Sequence, residues 1–216
     1  MQNKMLYTIG HSTHPIELFI NILQNKGINV IIDVRSTPYS KYADQYNKDR
    51  LKDTLTQYNI TYIYMGEQLG ARYNDKSLLF NDGKVDFGKV EKSEKFQEGI
   101  NRIDDGLLKG YTIALMCTEK NPLECHRFSM ISHYLAEKGY EILHILPEIT
   151  LEHKMLEDKL FEYYLSAGKL TLEIEKILCI NEIQINFLNN ETKFDMYLSL
   201  NRLIAYDSLQ KESKSW

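Results

Sequence analysis

The sequence predicts an α/β protein: a mostly parallel sheet of about five strands with helices on both faces, then a mainly helical C-terminal appendage. Three observations predict it. Short apolar runs alternate five times with segments of helical spacing. The runs at 30–34 and 112–116 are almost continuously apolar, as in strands buried on both faces. Gly27, Gly110 and Gly139 stand where the intervening helices should stop.

Residues 6–9, closed by Gly10, suit the first strand. Ser12 or Thr13 can cap a following helix with Pro15 at its first position, and Ile16, Phe19, Ile20 and Leu23 recur at helical spacing. Residues 30–34 are the second strand, interrupted by Asp33. A tyrosine-rich loop and a short helix over 49–58 lead to a third strand at 61–65. Residues 73–93 are polar and without period, an insertion or lid. Phe96, Ile100, Ile103 and Leu107 mark a helix, 112–116 the fourth strand, 125–138 another helix and 141–146 the fifth strand.

The division expected is an α/β domain over 1–150 and a helical extension over 151–216, packed on the core or on a second subunit as a homodimer. In the extension, Leu151, Met155, Leu156, Leu160 and Tyr164 are helix-spaced. Residues 177–187 fit helix or strand, Phe194 to Ile204 fit a helix, and 211–216 read as disordered.

The chain has 216 residues, 43% hydrophobic and 26% charged, with a formal net charge of −4. That balance argues against a broadly basic nucleic-acid-binding surface and leaves room for a local basic cleft. No apolar stretch approaches the ~20 residues of a membrane span, so no membrane partner is expected. The opening MQNKMLYTIG is too short in apolar character for a secretory leader. An odd count of three cysteines is no disulfide framework, and a cytoplasmic location is expected.

Chemistry-bearing residues recur at four successive strand ends: His11 and Ser12; Asp33 and Arg35; Glu67 and Arg72; then Cys117, Glu119, Cys125, His126 and Arg127. Parallel strands put all of these on one rim. The leading expectation is an enzyme binding a small anionic ligand, phosphate-bearing and nucleotide- or nucleic-acid-related. Arg35, Arg72 and Arg127 would bind the anion beside Ser12. Cys117 would be nucleophile or redox centre, activated by a helix start. His11 or His126 would serve as acid or base, and Glu119 would orient. Asp33, Cys125 and Glu67 would support, with Asp33 held by an arginine or a backbone donor because a lone buried acid is costly. Nine residues separate Cys117 from Arg127, unlike the tighter loop of cysteine phosphatases and rhodaneses.

On that reading no cofactor is expected. The alternative from another class is a metal-binding protein. Cys117, Cys125 and His126, with His11 or water as fourth ligand, would hold zinc or iron. A third reading is a non-catalytic nucleotide- or nucleic-acid-binding module using the same rim.

The order of these motifs resembles the DUF488 family of bacterial and archaeal proteins. The resemblance rests on Tyr7-Thr8-Ile9-Gly10-His11-Ser12, Asp33-Val34-Arg35-Ser36 with Pro38, Leu69-Gly70-Ala71-Arg72, and Cys117-Thr118-Glu119 through Pro122 to Cys125-His126-Arg127. His144-Ile145-Leu146 and His153 are similar to its closing segment, and Gly70-Ala71 replaces the double glycine of many members. The resemblance covers roughly 5–150. It implies the α/β fold and the shared site, and it supplies no reaction.

Overall fold

The computed structural model describes residues 4–167, 170, 177 and 190–208. Its strands are β1 (Met5–Gly10), β2 (Val30–Asp33), β3 (Thr61–Tyr64), β4 (Ile113–Cys117), β5 (Glu141–Ile145) and β6 (Thr150–Glu152). They form one sheet in the order β3-β2-β4-β1-β5-β6. The first five are parallel, and β6 runs antiparallel along β5. β6 is an addition to the five strands expected. Leu151, expected in a helix, pairs with His144 across this edge.

The helices are α1 (Ile16–Asn25), α2 (Lys48–Gln57), α3 (Gly66–Leu69), α4 (Phe87–Val90), α5 (Glu94–Leu108), α6 (His133–Glu137), α7 (His153–Ala167) and α8 (Asn190–Ile204). α1 starts without the side-chain cap expected of Ser12 or Thr13, directly after Pro15. Between β4 and α6, Arg127–Ser132 is wound as a π-helix, a widening that often accompanies functional sites.

Strand residues alternate between two cores, as a pleated sheet buried on both faces requires. Leu6, Val30, Ile32, Ile113 and Leu115 meet Phe96, Ile100 and Ile103 of α5 and Leu135 of α6. Tyr7, Ile9, Ile31, Ala114 and Met116 meet Phe19, Ile20 and Leu23 of α1 and Leu51 and Leu55 of α2. Each such fully buried aliphatic side chain stabilises by about 1.5–3 kcal/mol relative to exposure.

A third core joins the C-terminal helices to the rest. Leu123 and Phe128 pack with Leu156, Leu160 and Phe161 of α7 and Met196 and Leu200 of α8. The polar segment 73–93 also meets α8: Val85 N donates to Tyr206 O at 3.1 Å, and Asn201 bonds Phe87 N and Val85 O. Of the remaining sequence readings, 178–187 and 211–216 lie outside the described residues.

Candidate functional site

The topology decides where the chemistry collects. β1 and β2 send the chain to α1 and α2 on one face, whereas β4 sends it to α6 on the other. Neighbouring strands whose connections leave on opposite faces open a crevice at their carboxyl ends. Here it is bounded by β1, β4 and β2. Gly10 pairs with Cys117, and Asp33 with Met116. Beyond the ladder, His11 N donates to Cys117 O at 3.0 Å and Ser12 N to Thr118 O at 2.8 Å. This close approach explains Gly10: a Cβ there would lie 1.8 Å from Glu119 O and 3.0 Å from Arg127 Nη2.

Two polar groups occupy the crevice. In the first, Asp33 and Arg35 form a buried bidentate pair, Nε to Oδ1 at 2.9 Å and Nη2 to Oδ2 at 2.6 Å. Arg35 N and the Tyr62 hydroxyl also donate to this carboxylate. Arg35 further reaches Tyr46 O at 2.8 Å and His11 Nε2 at 3.0 Å. His11 Nδ1 lies 2.7 Å from Ser12 O and must donate to it, so Nε2 is the acceptor facing Arg35. Burial, then the Arg35 charge, lowers the His11 pKa to about 4. His11 is therefore a neutral ring, stacked on Tyr46 at 4.2 Å, whose free lone pair is already engaged.

The second group is the sulfur cluster. Cys117, Cys125 and His126 are buried, with donor atoms within 4.8 Å of one another. His126 Nε2 lies 3.2 Å from Val34 O and donates to it, which leaves the Nδ1 lone pair facing the sulfurs. Nδ1 is 3.6 Å from Cys125 Sγ and 3.9 Å from Cys117 Sγ. Arg127 N donates to Cys125 Sγ at 3.5 Å. Among the described residues, Arg127 Nε and Nη1 and Glu119 Oε2 are buried without a hydrogen-bond partner. Arg127 Nη2 donates to Lys120 O at 3.1 Å.

Protons are unevenly divided here. The Cys125 hydrogen bond, then burial, pushes the Cys117 thiol well up. Burial opposes ionisation of Cys125, but the Cys117 thiol, Arg127 and His126 overcome it and hold its pKa well below the usual thiol value. Burial likewise opposes a charge on His126, and the Cys125 thiolate reverses this and raises its pKa. Burial and Cys125 raise Glu119. The cluster sets three acids, Cys117, Glu119 and Cys125, against Arg127 and His126. Cys125, rather than Cys117, is the sulfur poised to ionise.

The structure thus joins Cys117, Glu119, Cys125, His126 and Arg127, and places Asp33, Arg35 and His11 in a self-contained network beside them. It does not bring the three arginines together. Arg35 is consumed by Asp33, and Arg72 is exposed, with its guanidinium 5.0 Å from the Tyr206 ring centre. Glu67 is exposed on α3. Ser12 is half-buried at φ 48°, and His11 lies outside the three-donor cluster. Sequence reasoning missed Tyr46 and Tyr62. Tyr62 was the findable one, since it lies two residues before the register partner of Asp33 and so shares its face.

An α/β fold with a switch-point crevice lined by cysteine, histidine and arginine is the class defined so far. The chain belongs to the family described as domain of unknown function DUF488, which it matches over residues 15–135. No curated protein and no solved structure matches it.

Proposed function

We propose that the protein binds a metal ion, zinc in preference to iron, through Cys117, Cys125 and His126, with water or substrate in the fourth position. The observation that carries this is the geometry around His126 Nδ1. Zinc–sulfur bonds of about 2.3 Å and zinc–nitrogen bonds of about 2.0–2.1 Å at a tetrahedral angle put sulfur and nitrogen about 3.6 Å apart. The separations are 3.6 and 3.9 Å. The Nε2 donation to Val34 O is the bond that orients a ligating imidazole. A divalent ion would favour deprotonation of both thiols, beside Arg127. Thiolate and imidazole donors suit zinc. Such an ion can lock the β4 loop onto the helix start, or act as a Lewis acid through its fourth position.

The test is elemental analysis of untagged protein purified without chelator. About one equivalent of zinc per chain is expected, falling below a tenth in Cys125→Ser. Cobalt substitution should give thiolate charge-transfer absorption. Wild-type protein with no bound metal, and with both thiols freely titratable in the native state, would sink the reading.

A second reading keeps the anion-binding enzyme, on one observation: the buried Arg127 guanidinium has two unpartnered N–H-bearing nitrogens. The nucleophile there would be Cys125. Rapid alkylation of Cys125 at neutral pH in metal-free protein, suppressed by inorganic phosphate, would favour this reading over the metal.

A further inference from the structure

The sheet ends on β3, and the outer edge of that strand is open. Among the described residues β3 pairs with β2 alone. Thr61 N donates to Asn29 O at 2.8 Å, and Met65 N donates to Asp33 O at 2.9 Å. Backbone groups alternate in direction along a strand. Thr61, Ile63 and Met65 therefore bond towards β2, whereas the N–H and C=O groups of Tyr62 and Tyr64 point outward. Such an edge is a template for another strand, and soluble proteins blunt it with charge, proline or a bulge. The run Thr61-Tyr62-Ile63-Tyr64-Met65 holds no charge and no proline. Its register with β2 runs without a bulge.

Beside this edge lies an apolar groove of about 290 Å³ between β3 and α5, lined by Val30, Ile32, Ile63 and Ile113 with Gly106 on the helix. Val30 and Ile32 are buried on this face, but Ile63 is only partly covered. The symmetry of the edge says what completes it. An isologous contact needs a surface that complements itself under a two-fold axis, and Tyr62-Ile63-Tyr64 reads the same in both directions. Set two copies antiparallel with the axis at Ile63. Tyr62 of each then stands opposite Tyr64 of the other as a hydrogen-bonded pair, and every outward N–H and C=O finds a partner. Ile63 meets Ile63 of the second copy as a non-hydrogen-bonded pair, the type whose side chains approach more closely, so the two grooves share one apolar floor. On the opposite face the tyrosines form aromatic cross-strand pairs. A strand of another protein would satisfy the backbone, whereas a second copy also matches the side chains at all these positions.

We propose that the protein forms a homodimer in which two copies of β3 pair antiparallel about Ile63, joining the sheets of both chains. The strand is only 4 residues long, so the contact is small and the dimer reversible. The proposal is independent of the metal.

Sedimentation velocity on the full chain between about 1 and 200 μM should show a reversible dimer with a dissociation constant on the order of 10 μM, as befits a small interface. Ile63→Lys sets like charges against each other across the axis and should leave a monomer throughout that range, as should Ile63→Glu. An equimolar mixture of the two variants should dimerise again, which misfolding of either could not produce. Ile63→Cys should cross-link to a covalent dimer under mild oxidation, because opposed residues of such a pair lie about 4.5 Å apart at Cα, within the span of a disulfide. The wild-type chain should not cross-link, nor should Thr61→Cys, whose new thiol would face Met65 of the other copy. A monomer at every concentration would overturn the proposal. So would a dimer indifferent to Ile63→Lys, which moves the contact to another face such as the C-terminal helices, or the failure of both the mixture and Ile63→Cys to give a dimer.

Discussion

Two buried polar regions lie on either side of Arg127-Phe128, and they differ in how their groups are matched. On one side runs a chain of hydrogen bonds: Thr8 Oγ1 to His144 Nδ1 at 2.7 Å, His144 Nε2 to His153 Nδ1 at 3.0 Å, His153 Nε2 to the Tyr197 hydroxyl at 3.2 Å, and Tyr197 to Glu157 at 2.9 Å. Lys193 closes it on Glu157 at 2.9 Å. The carboxylate only accepts, so every bond points the same way and each histidine is a neutral tautomer. Burial holds both histidines below their ordinary pKa. On the other side, His126 is equally buried, yet the Cys125 thiolate raises it. There Arg127 and Glu119 keep atoms without partners among the described residues. The first region completes itself within the fold and stabilises it. The second keeps buried polar atoms without partners among the described residues, which is why the proposed ion is placed there.

Substitutions can break this contrast. The largest separation is in metal content. Cys125→Ser should lose the bound ion, whereas Tyr197→Phe should keep a full equivalent by elemental analysis, although both positions are buried. Gly10→Ala should strike both stability and metal content. Its Cβ collides with the Glu119 carbonyl, and displacing backbone typically costs about 1–3 kcal/mol or more, measurable by urea unfolding. Tyr197→Phe should cost about 1–3 kcal/mol by the same measurement, since it strips Glu157 and His153 of a buried partner.

A milder effect is expected from pH. His11 and His153 are held at about 4 and about 3 in the folded chain, and in the unfolded chain they titrate near the ordinary histidine value of about 6.5. Below that value the unfolded chain binds more protons. Stability should therefore fall as pH drops from about 6.5 towards 4, by up to about 1.4 kcal/mol per unit for each such histidine. Unfolding midpoints at successive pH values measure the slope, and a flat profile across that window would contradict the neutral assignment. The smallest change is Arg72→Ala. Loss of an exposed contact with the Tyr206 ring should cost about 0.5–1 kcal/mol and leave zinc unaltered.

Much of the fold was legible from pattern. Apolar runs such as Val30-Ile31-Ile32 must be buried on both faces whatever surrounds them, and Gly139 ends α6 at φ 81° because that conformation favours glycine. β6 escaped because three residues at an edge carry no period. In the site, the pooling of strand ends was legible, because parallel strands share one carboxyl edge. Which arginine faced a ligand was not. Both Arg35 and Arg127 stand on segments leaving a strand's carboxyl end, and only the reach of Asp33, Tyr46 and His11 decides that Arg35 is saturated. The choice of sulfur was equally hidden. Cys117 stands at the end of a strand, but Cys125 receives the Arg127 amide, and Arg127 and His126 favour its ionisation.

The sequence by itself determined the alternation of strands and helices and the four strand ends at which chemistry gathers, because periodicity and residue type are local properties. Tertiary structure alone decided which polar groups find partners. Pairing depends on distances between segments far apart in the chain, and it separates a self-contained histidine chain from the sulfur cluster at Cys117, Cys125 and His126, the proposed metal site.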